Sequence, residues 1–281
     1  MMEGKKIKEF QKISTNIRKH IIEAVFHAQS GHPGGSLSSA DILTVLYFSE
    51  MKINPENPAW EDRDRFVLSK GHCSPALYGT LAERGFFSKD KISGFRQTDS
   101  ILQGHPSLKH VPGVDMSTGS LGHGISAALG MALAGKLDNK DYHVYALLGD
   151  GEIQEGQVWE ALMASAHYKL DNFTAFLDHN GLQIDGKITE VLSPEPVDEK
   201  FRAFGWNVFV VDGHDYQGLI DAINKGKALK GKPTMIVAQT VKGKGVSFME
   251  NQAGWHGSPP NKEQRDQAIA ELDEFLKGLE V

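Results

Sequence analysis

Cysteine is almost missing from this chain: Cys73 is the only one, so no internal disulfide can form, and the sequence suits a reducing cytoplasm. Long apolar runs are missing too. No stretch approaches the length of a membrane span, and the opening MMEGKKIKEF lacks the apolar core of a secretory signal. An excess of positive charge is also absent. Lys and Arg number 30 against 36 Asp and Glu, a formal net charge of -6, which leaves no basic footprint for nucleic acid. Without low-complexity linkers or repeats of solenoid period, the 281 residues read as a single domain of the α/β class, residues 1–281, with a sizeable core.

What the chain does have is concentrated between Tyr142 and Gly186. The run Val144 to Leu148 ends on Gly149-Asp150-Gly151, and the run Phe173 to Leu177 ends on Asp178, His179, Asn180 and Gly181. Two buried parallel strands of this kind deliver Asp150 and Asn180 to the same carboxyl edge of a sheet, where open α/β sheets build their sites. One carboxylate, one amide oxygen and a loop carbonyl form an oxygen set of the kind Mg²⁺ takes. A Gly-Asp-Gly turn alone is ordinary turn chemistry, and the specificity lies in the whole stretch.

On either side the pattern stays α/β. Apolar residues from Ile7 to Ala28 recur at three and four, which predicts an amphipathic helix. It ends at Ser30-Gly31-His32-Pro33-Gly34-Gly35, and a second helix is expected from Ser38 or Ser39 to about Glu50. Arg65 to Ser69 reads as a short strand. Beyond Gly186, helices are expected at Val197–Phe204 and Tyr216–Leu229, with strands at Trp206–Val211 and Thr234–Gln239. Val241 to Gly257 reads as a mobile glycine-rich loop of the length of a lid, and an amphipathic cap helix follows from about residue 262.

Histidine beside glycine recurs along the chain. Of twelve histidines, His32, His72, His105, His123, His214 and His256 each adjoin a glycine, which places half of them in tight loops. Any one alone reads as a turn histidine bonded to backbone. Gathered at one sheet edge, neutral imidazoles can donate and accept hydrogen bonds together, holding sugar hydroxyls and moving protons near neutral pH. Cys73 adjoins His72, and sequence neighbours rarely face each other as nucleophile and base, so a buried structural thiol is the better reading.

The stretch GDGEIQEGQVWEA followed by NGLQIDG resembles the cofactor motif of thiamine-diphosphate enzymes and is similar to the transketolase family in particular. The resemblance spans roughly Ser30 to Gly257. It implies the thiamine-diphosphate-binding fold, a mostly parallel sheet flanked by helices. It also implies a Mg²⁺ ion, or another divalent cation such as Ca²⁺ or Mn²⁺, held by the side chains of Asp150 and Asn180 and the carbonyl of Leu182. Gly151, at the expected helix entrance, would leave amide N–H groups facing the diphosphate. SGHPGG carries His32, SKGHCSPALYG carries Lys70 and His72, and QGHPS carries His105. By the resemblance, His105 meets the donor near its C1 hydroxyl, His72 and His256 lie beside the diphosphate, and His32, His105 and His256 position hydroxyls and relay protons. Gly119, Ser120 and Leu121 of TGSLGHG contact the cofactor through main chain, with Gln183 and Lys242 near it and Lys70 and Lys242 offsetting diphosphate charge. The family more often has Gln where His123 stands, and His179 varies in type, so neither receives a role. Glu155 and Glu160 match acidic residues of the family's dimer interface.

The same resemblance implies that something is supplied from outside. The glutamate that activates the aminopyrimidine, the pyrimidine pocket and the basic residues for the sugar phosphate belong to a second domain in the family. The chain is therefore expected to be the amino-terminal subunit of a split transketolase, moving a two-carbon ketol unit from a ketose phosphate to an aldose phosphate, in pentose phosphate interconversion or in a specialised catabolic pathway. Its expected partner is a separate carboxyl-terminal transketolase subunit, in an α2β2 heterotetramer built on self-association of this chain. The alternatives are a subunit of another split thiamine-diphosphate enzyme, a 2-oxo acid decarboxylase or a relative of deoxyxylulose-phosphate synthase, and a non-catalytic cofactor-binding subunit.

Overall fold

Apolar runs that face both ways decide the layout. In the computed structural model, which describes residues 4–280, Val144, Ala146 and Leu148 join one hydrophobic cluster while Tyr145 and Leu147 join another on the opposite face. The period-two alternation of a strand buries both sets, so the run reads as continuously apolar. In chain order the elements are α1 (Gly4–Ala28), α2 (Pro33–Val45), β1 (Arg65–Leu68), α3 (Ser74–Arg84), α4 (His123–Leu137), β2 (Val144–Gly149), α5 (Gly156–His167), β3 (Phe173–His179), the short strands β4 (Leu182–Gln183) and β5 (Gly186–Lys187), α6 (Ile188–Val191), α7 (Val197–Ala203), β6 (Asn207–Asp212), α8 (Tyr216–Ala228), β7 (Thr234–Gln239) and α9 (Lys262–Gly278).

The main sheet has five parallel strands in the order β1-β2-β3-β7-β6. Helices α1, α2, α3, α8 and α9 cover one face, and α4, α5 and α7 the other. The register pairs Gly149 with Asp178 and Asp178 with Ala238, so β2, β3 and β7 end level with one another. The loops after them meet at one edge, as the apolar runs predict. Helix α9 opens on a capping box between Asn261 and Gln264 and docks on α1 through buried Ala268 and Leu272.

Three local expectations need correction. Helix α2 begins at Pro33, five residues before Ser38, because proline suits the first helical position and the two glycines after it are packed rather than flexible. A Cβ on Gly34 would lie 2.9 Å from the Trp255 carbonyl oxygen, and one on Gly35 would lie 2.8 Å from Cys73 Sγ. Close packing outweighs the roughly 1 kcal/mol that glycine costs a helix. All thirteen residues of α2 are buried, which explains why it shows no polar face. Next, Gly151 does not open the helix after β2: a 3-10 turn over Glu152–Gln154 intervenes and α5 starts at Gly156. Finally, the segment after β7 is pinned rather than hanging free as a lid. Val246 and Met249 are fully buried, the Gly243 N–H donates to the Gly34 carbonyl at 2.9 Å, and the Asn251 N–H donates to the Lys242 carbonyl at 2.9 Å.

Candidate active site

The site is built outward from one buried carboxylate. Asp178, at the end of β3, is fully buried. It accepts hydrogen bonds from Ser38 Oγ of α2 at 2.7 Å, from Thr240 Oγ1 after β7, and from Asn180 Nδ2 at 3.3 Å. It also forms an ion pair with Lys70, from the loop after β1, whose Nζ donates to the Gly35 carbonyl at 2.9 Å. Burial alone would raise the Asp178 carboxyl, but Lys70 and these donors hold it below the ordinary carboxylate range. One charge thus ties four chain segments together and keeps Lys70 protonated. The sequence shows Asp178 only as the residue closing an apolar run; of its four partners, Ser38, Lys70 and Thr240 lie far away along the chain.

Beside this floor, Asp150 at the end of β2 accepts from the Gly181 N–H at 2.6 Å and from the Gly151 N–H at 2.9 Å. Burial, and then repulsion from Asp178, push its carboxyl up to about 6. A nearby cation would relieve that unfavourable charge. Asn180 Oδ1 accepts from the Leu182 N–H at 3.1 Å, and the Leu182 carbonyl accepts from Lys242 Nζ at 3.3 Å. The Asp150 carboxylate, after β2, is thus tied to the short loop after β3 that carries the amide and carbonyl oxygens, and together they form a donor set that fits a hard divalent cation such as Mg²⁺. The described residues hold no cluster of three or more His, Cys, Asp or Glu side chains suited to a metal, so a cation here depends on the amide and the main chain.

Lys242 supplies the local positive charge. Its ammonium is nearly buried and, among the described residues, donates to the Leu182 carbonyl and to His256 Nδ1 at 3.0 Å rather than to a carboxylate. Burial lowers its pKa, with Asp150 acting in the opposite direction. Because Lys70 is already neutralised by Asp178, an anion in the cavity would draw mainly on Lys242.

The histidines complete a wall. The rings of His72 and His256 stack at 5.2 Å, and His32 meets both edge-on at 5.1 and 5.5 Å. Burial, followed by the positive charges around them, brings His32 down to about 4, His256 to about 3 and His72 well below its usual value. All three are neutral at pH 7. The Lys242 bond makes Nδ1 of His256 the acceptor, so its proton sits on Nε2. His32 Nδ1 is buried with no partner among the described residues, an orphan that a bound group would satisfy.

These residues share a cavity of about 390 Å³ lined by His32, Lys70, His72, Gly119, Leu121, Asp150, Gly151, Asn180, Leu182, Gln183, Lys242 and His256, with Glu152 and Gln154. Two expected residues are not part of its lining. Ser120 is exposed at the turn before α4, and His105 is exposed at the rim, where its ring packs 3.2 Å from where a Gly119 Cβ would sit. Sequence reasoning missed Glu152, buried at 2% exposure, which accepts from the N–H groups of Gly122 and Gly149 at 3.0 Å each and locks the Gly119–Gly122 loop to the end of β2. It follows the GDG turn directly, the one signal that could have marked it. Of the residues left without a role, His123 is exposed and His179 pairs with Glu195 at 2.9 Å. Cys73 is fully buried, as a structural thiol should be.

Fold and cavity together define an α/β domain that presents ammonium groups, neutral imidazoles and an oxygen-rich loop to an anionic ligand at the carboxyl ends of its strands. A family model described as transketolase, thiamine diphosphate binding domain, matches residues 10–273, and the chain belongs to the transketolase family. It is 45% identical over 263 residues to an apulose-4-phosphate transketolase subunit of Phocaeicola vulgatus, covering 94% of this chain and 93% of that one. It is 45% identical over 257 residues to the 6-deoxy-6-sulfo-D-fructose transketolase subunit SqwG of Clostridium sp., covering 92% and 94%. The transketolase structure from Campylobacter jejuni superposes with a TM-score of 0.88 at 35% identity over 100% of this chain and 47% of that one. Against such longer transketolases the chain spans less than half their length, and it matches the thiamine-diphosphate-binding part.

Proposed function

We propose that the chain is the amino-terminal subunit of a transketolase that transfers a two-carbon ketol unit from a ketose phosphate to an aldose phosphate. The observation that carries this reading is the single cavity in which the buried lysines, the neutral histidines, Asp150 and the Asn180–Leu182 loop meet. Similarity over nearly the full length of two proteins named as transketolase subunits supports it. Thiamine diphosphate, when bound, supplies the carbanion chemistry. The chain's residues do the rest: Asp150, Asn180 and the Leu182 carbonyl hold Mg²⁺ or a similar divalent ion, and Lys242 faces the diphosphate. Gly151 is part of the same wall, its N–H held by Asp150. His32 and His256 offer neutral nitrogens to substrate hydroxyls, and His105 at the rim meets the donor's C1 end.

A separate carboxyl-terminal subunit provides the pyrimidine-side glutamate and the phosphate-binding basic residues, in an α2β2 assembly in the cytoplasm. Exposed Leu121 and Ile184 at the cavity, with exposed Glu155 and Glu160 nearby, support a covering partner. The names of the two relatives put apulose 4-phosphate and 6-deoxy-6-sulfo-D-fructose beside pentose phosphates as donors to try. The test is a ketol-transfer assay on the purified chain with thiamine diphosphate and Mg²⁺, with and without its partner. We expect no turnover alone and at least about a thousandfold gain on mixing, since loss of the activating base removes acid–base catalysis worth 10²–10⁴ and more. Robust turnover by the chain alone would overturn the split-enzyme reading, and no turnover with any of the three donors by the pair would overturn the activity.

A further inference from the structure

Arg96 stands between the two loops that carry the substrate-side histidines, and nothing so far gives it a role. Its backbone is left-handed, with φ 59°, a conformation that costs a non-glycine residue about 1 kcal/mol and persists where the surroundings enforce it. Its N–H donates to the Leu102 carbonyl at 2.9 Å. Nη1 donates to Ser30 Oγ at 2.6 Å, two residues before His32, and Nη2 reaches the Gly104 carbonyl at 3.5 Å, one residue before His105. The approach to Gly104 depends on the missing side chain there, since a Cβ would lie 2.9 Å from Arg96 Nε. Nε itself is buried without a partner among the described residues, where the guanidinium is held by the two loops rather than by a carboxylate.

We propose that Arg96 is a positioning residue for ketol transfer, a two-armed clamp that sets the spacing of the His32 and His105 loops. The inference rests on the transketolase reading above. The clamp has an electrostatic side as well. After burial, Arg96 is the leading influence that lowers both His32 and His105. The other groups acting on His32 are His105 and Lys242, with the rings of His72 and His256 packed against it, and among the described residues no carboxylate acts on either histidine. Arg96 therefore favours neutral imidazoles where substrate hydroxyls must be handled. Lysine could supply the charge but, as a single ammonium, not both arms.

The test compares Arg96→Met and Arg96→Lys in the complex with the partner subunit, reading donor kcat/KM and the titration midpoints of His32 and His105 by NMR. Arg96→Met is expected to raise both midpoints by about half a pH unit, the effect of removing one nearby charge in a watery environment, and to lower kcat/KM about tenfold. Arg96→Lys is expected to hold both midpoints and lower kcat/KM about threefold. Unchanged midpoints and kcat/KM in Arg96→Met overturn the proposal, and so do two variants that behave alike in both readouts. Should Arg96→Met not fold, Arg96→Lys decides: reduced kcat/KM with midpoints held supports the clamp, and unchanged kcat/KM overturns it. Absence of ketol transfer in the unmutated complex would be a failure of the transketolase reading instead. The midpoints would then decide alone whether Arg96 acts on both loops.

Discussion

The two ends of the sheet carry polar cavities of similar size, about 390 Å³ at the carboxyl edge and about 420 Å³ at the amino edge, and both are lined by lysines and acids, with three histidines at the carboxyl edge and one at the amino edge. At the amino edge four of the five lining lysines meet a carboxylate: Lys136 pairs with Asp171 at 2.8 Å, Lys227 with Glu50 at 3.3 Å, Lys52 with Asp141 at 3.5 Å, and Lys140 with Asp62 at 2.7 Å, while buried Asp64 accepts from the N–H groups of Lys52 and His143 at 2.8 Å each. His143 there is satisfied by Thr174 at 2.9 Å, and the one buried side-chain atom of the lining without a partner among the described residues is the neutral Asn172 Oδ1. At the carboxyl edge Lys242 has a carbonyl and an imidazole, Asp150 has N–H groups without a cation, and His32 has a bare ring nitrogen. Size does not separate the two cavities, and each has one orphaned buried atom among the described residues. What separates them is lysine pairing: Lys242 faces the carboxyl-edge cavity with no carboxylate among the described residues, a charge that a folded chain tolerates where a ligand completes it.

The largest effect that would break this comparison is loss of the cation loop. Asn180→Ala is expected to weaken Mg²⁺ and thiamine diphosphate together by about 10- to 100-fold, the range seen when a metal site loses a supporting group. The urea midpoint should hardly move, because Asn180 is only partly buried. Calorimetry on the assembled enzyme checks it, and an unchanged cofactor affinity would remove the loop from the site. A smaller effect sharpens the contrast directly. Lys242→Met is expected to reduce diphosphate affinity about tenfold, whereas Lys136→Met, at the paired end, should cost no more than about 1 kcal/mol of stability and leave cofactor binding alone. Equal effects of the two variants on binding would mean that pairing does not distinguish the cavities.

How far the sequence alone discloses this depends on the range of the interaction. The strand ends at Asp150 and Asn180 are legible because an apolar run closed by Gly and Asp is a local signal, and the histidine loops are legible because glycine marks the turns that hold them. The start of α2 is not. Gly34 and Gly35 look like helix breakers, and the contacts that make them helical come from Trp255 and Cys73, distant in the chain. The floor is hidden for the same reason: Ser38 and Thr240 reach Asp178 across 140 and 62 residues. Arg96 reads as an ordinary surface charge until the fold brings Ser30 and Gly104 to it. The segment after β7 looks mobile from its glycines, yet Val246 and Met249 anchor it in the core.

The smallest effect concerns pH, and it follows from Asp150. Its carboxyl is raised to about 6, so the metal-free site begins to hold a proton just below neutrality, while a divalent ion needs the ionised form. Protons and Mg²⁺ therefore compete, and Mg²⁺ affinity should fall as pH falls: about threefold between pH 7.5 and 5.7, steepening toward tenfold per unit below that. His32, at about 4, and His256, at about 3, stay neutral over this range and contribute nothing to the slope. At the amino edge Asp171 behaves oppositely, since Lys136 and the Gly231 N–H hold it below the usual range against the pull of burial, whereas buried Asp64 there is raised by burial in the same direction as Asp150. Stability of the metal-free chain carries the reverse sign. A carboxyl with a raised folded pKa binds its proton more tightly folded than unfolded, so between about pH 4 and 6 acidification adds stability through Asp150. Saturating Mg²⁺ should abolish that gain. Calorimetric Mg²⁺ titrations at pH 7.5 and 5.7, paired with urea melts of the metal-free and loaded chain, measure both signs, and a Mg²⁺ affinity flat across that interval would show that Asp150 does not ligate the ion.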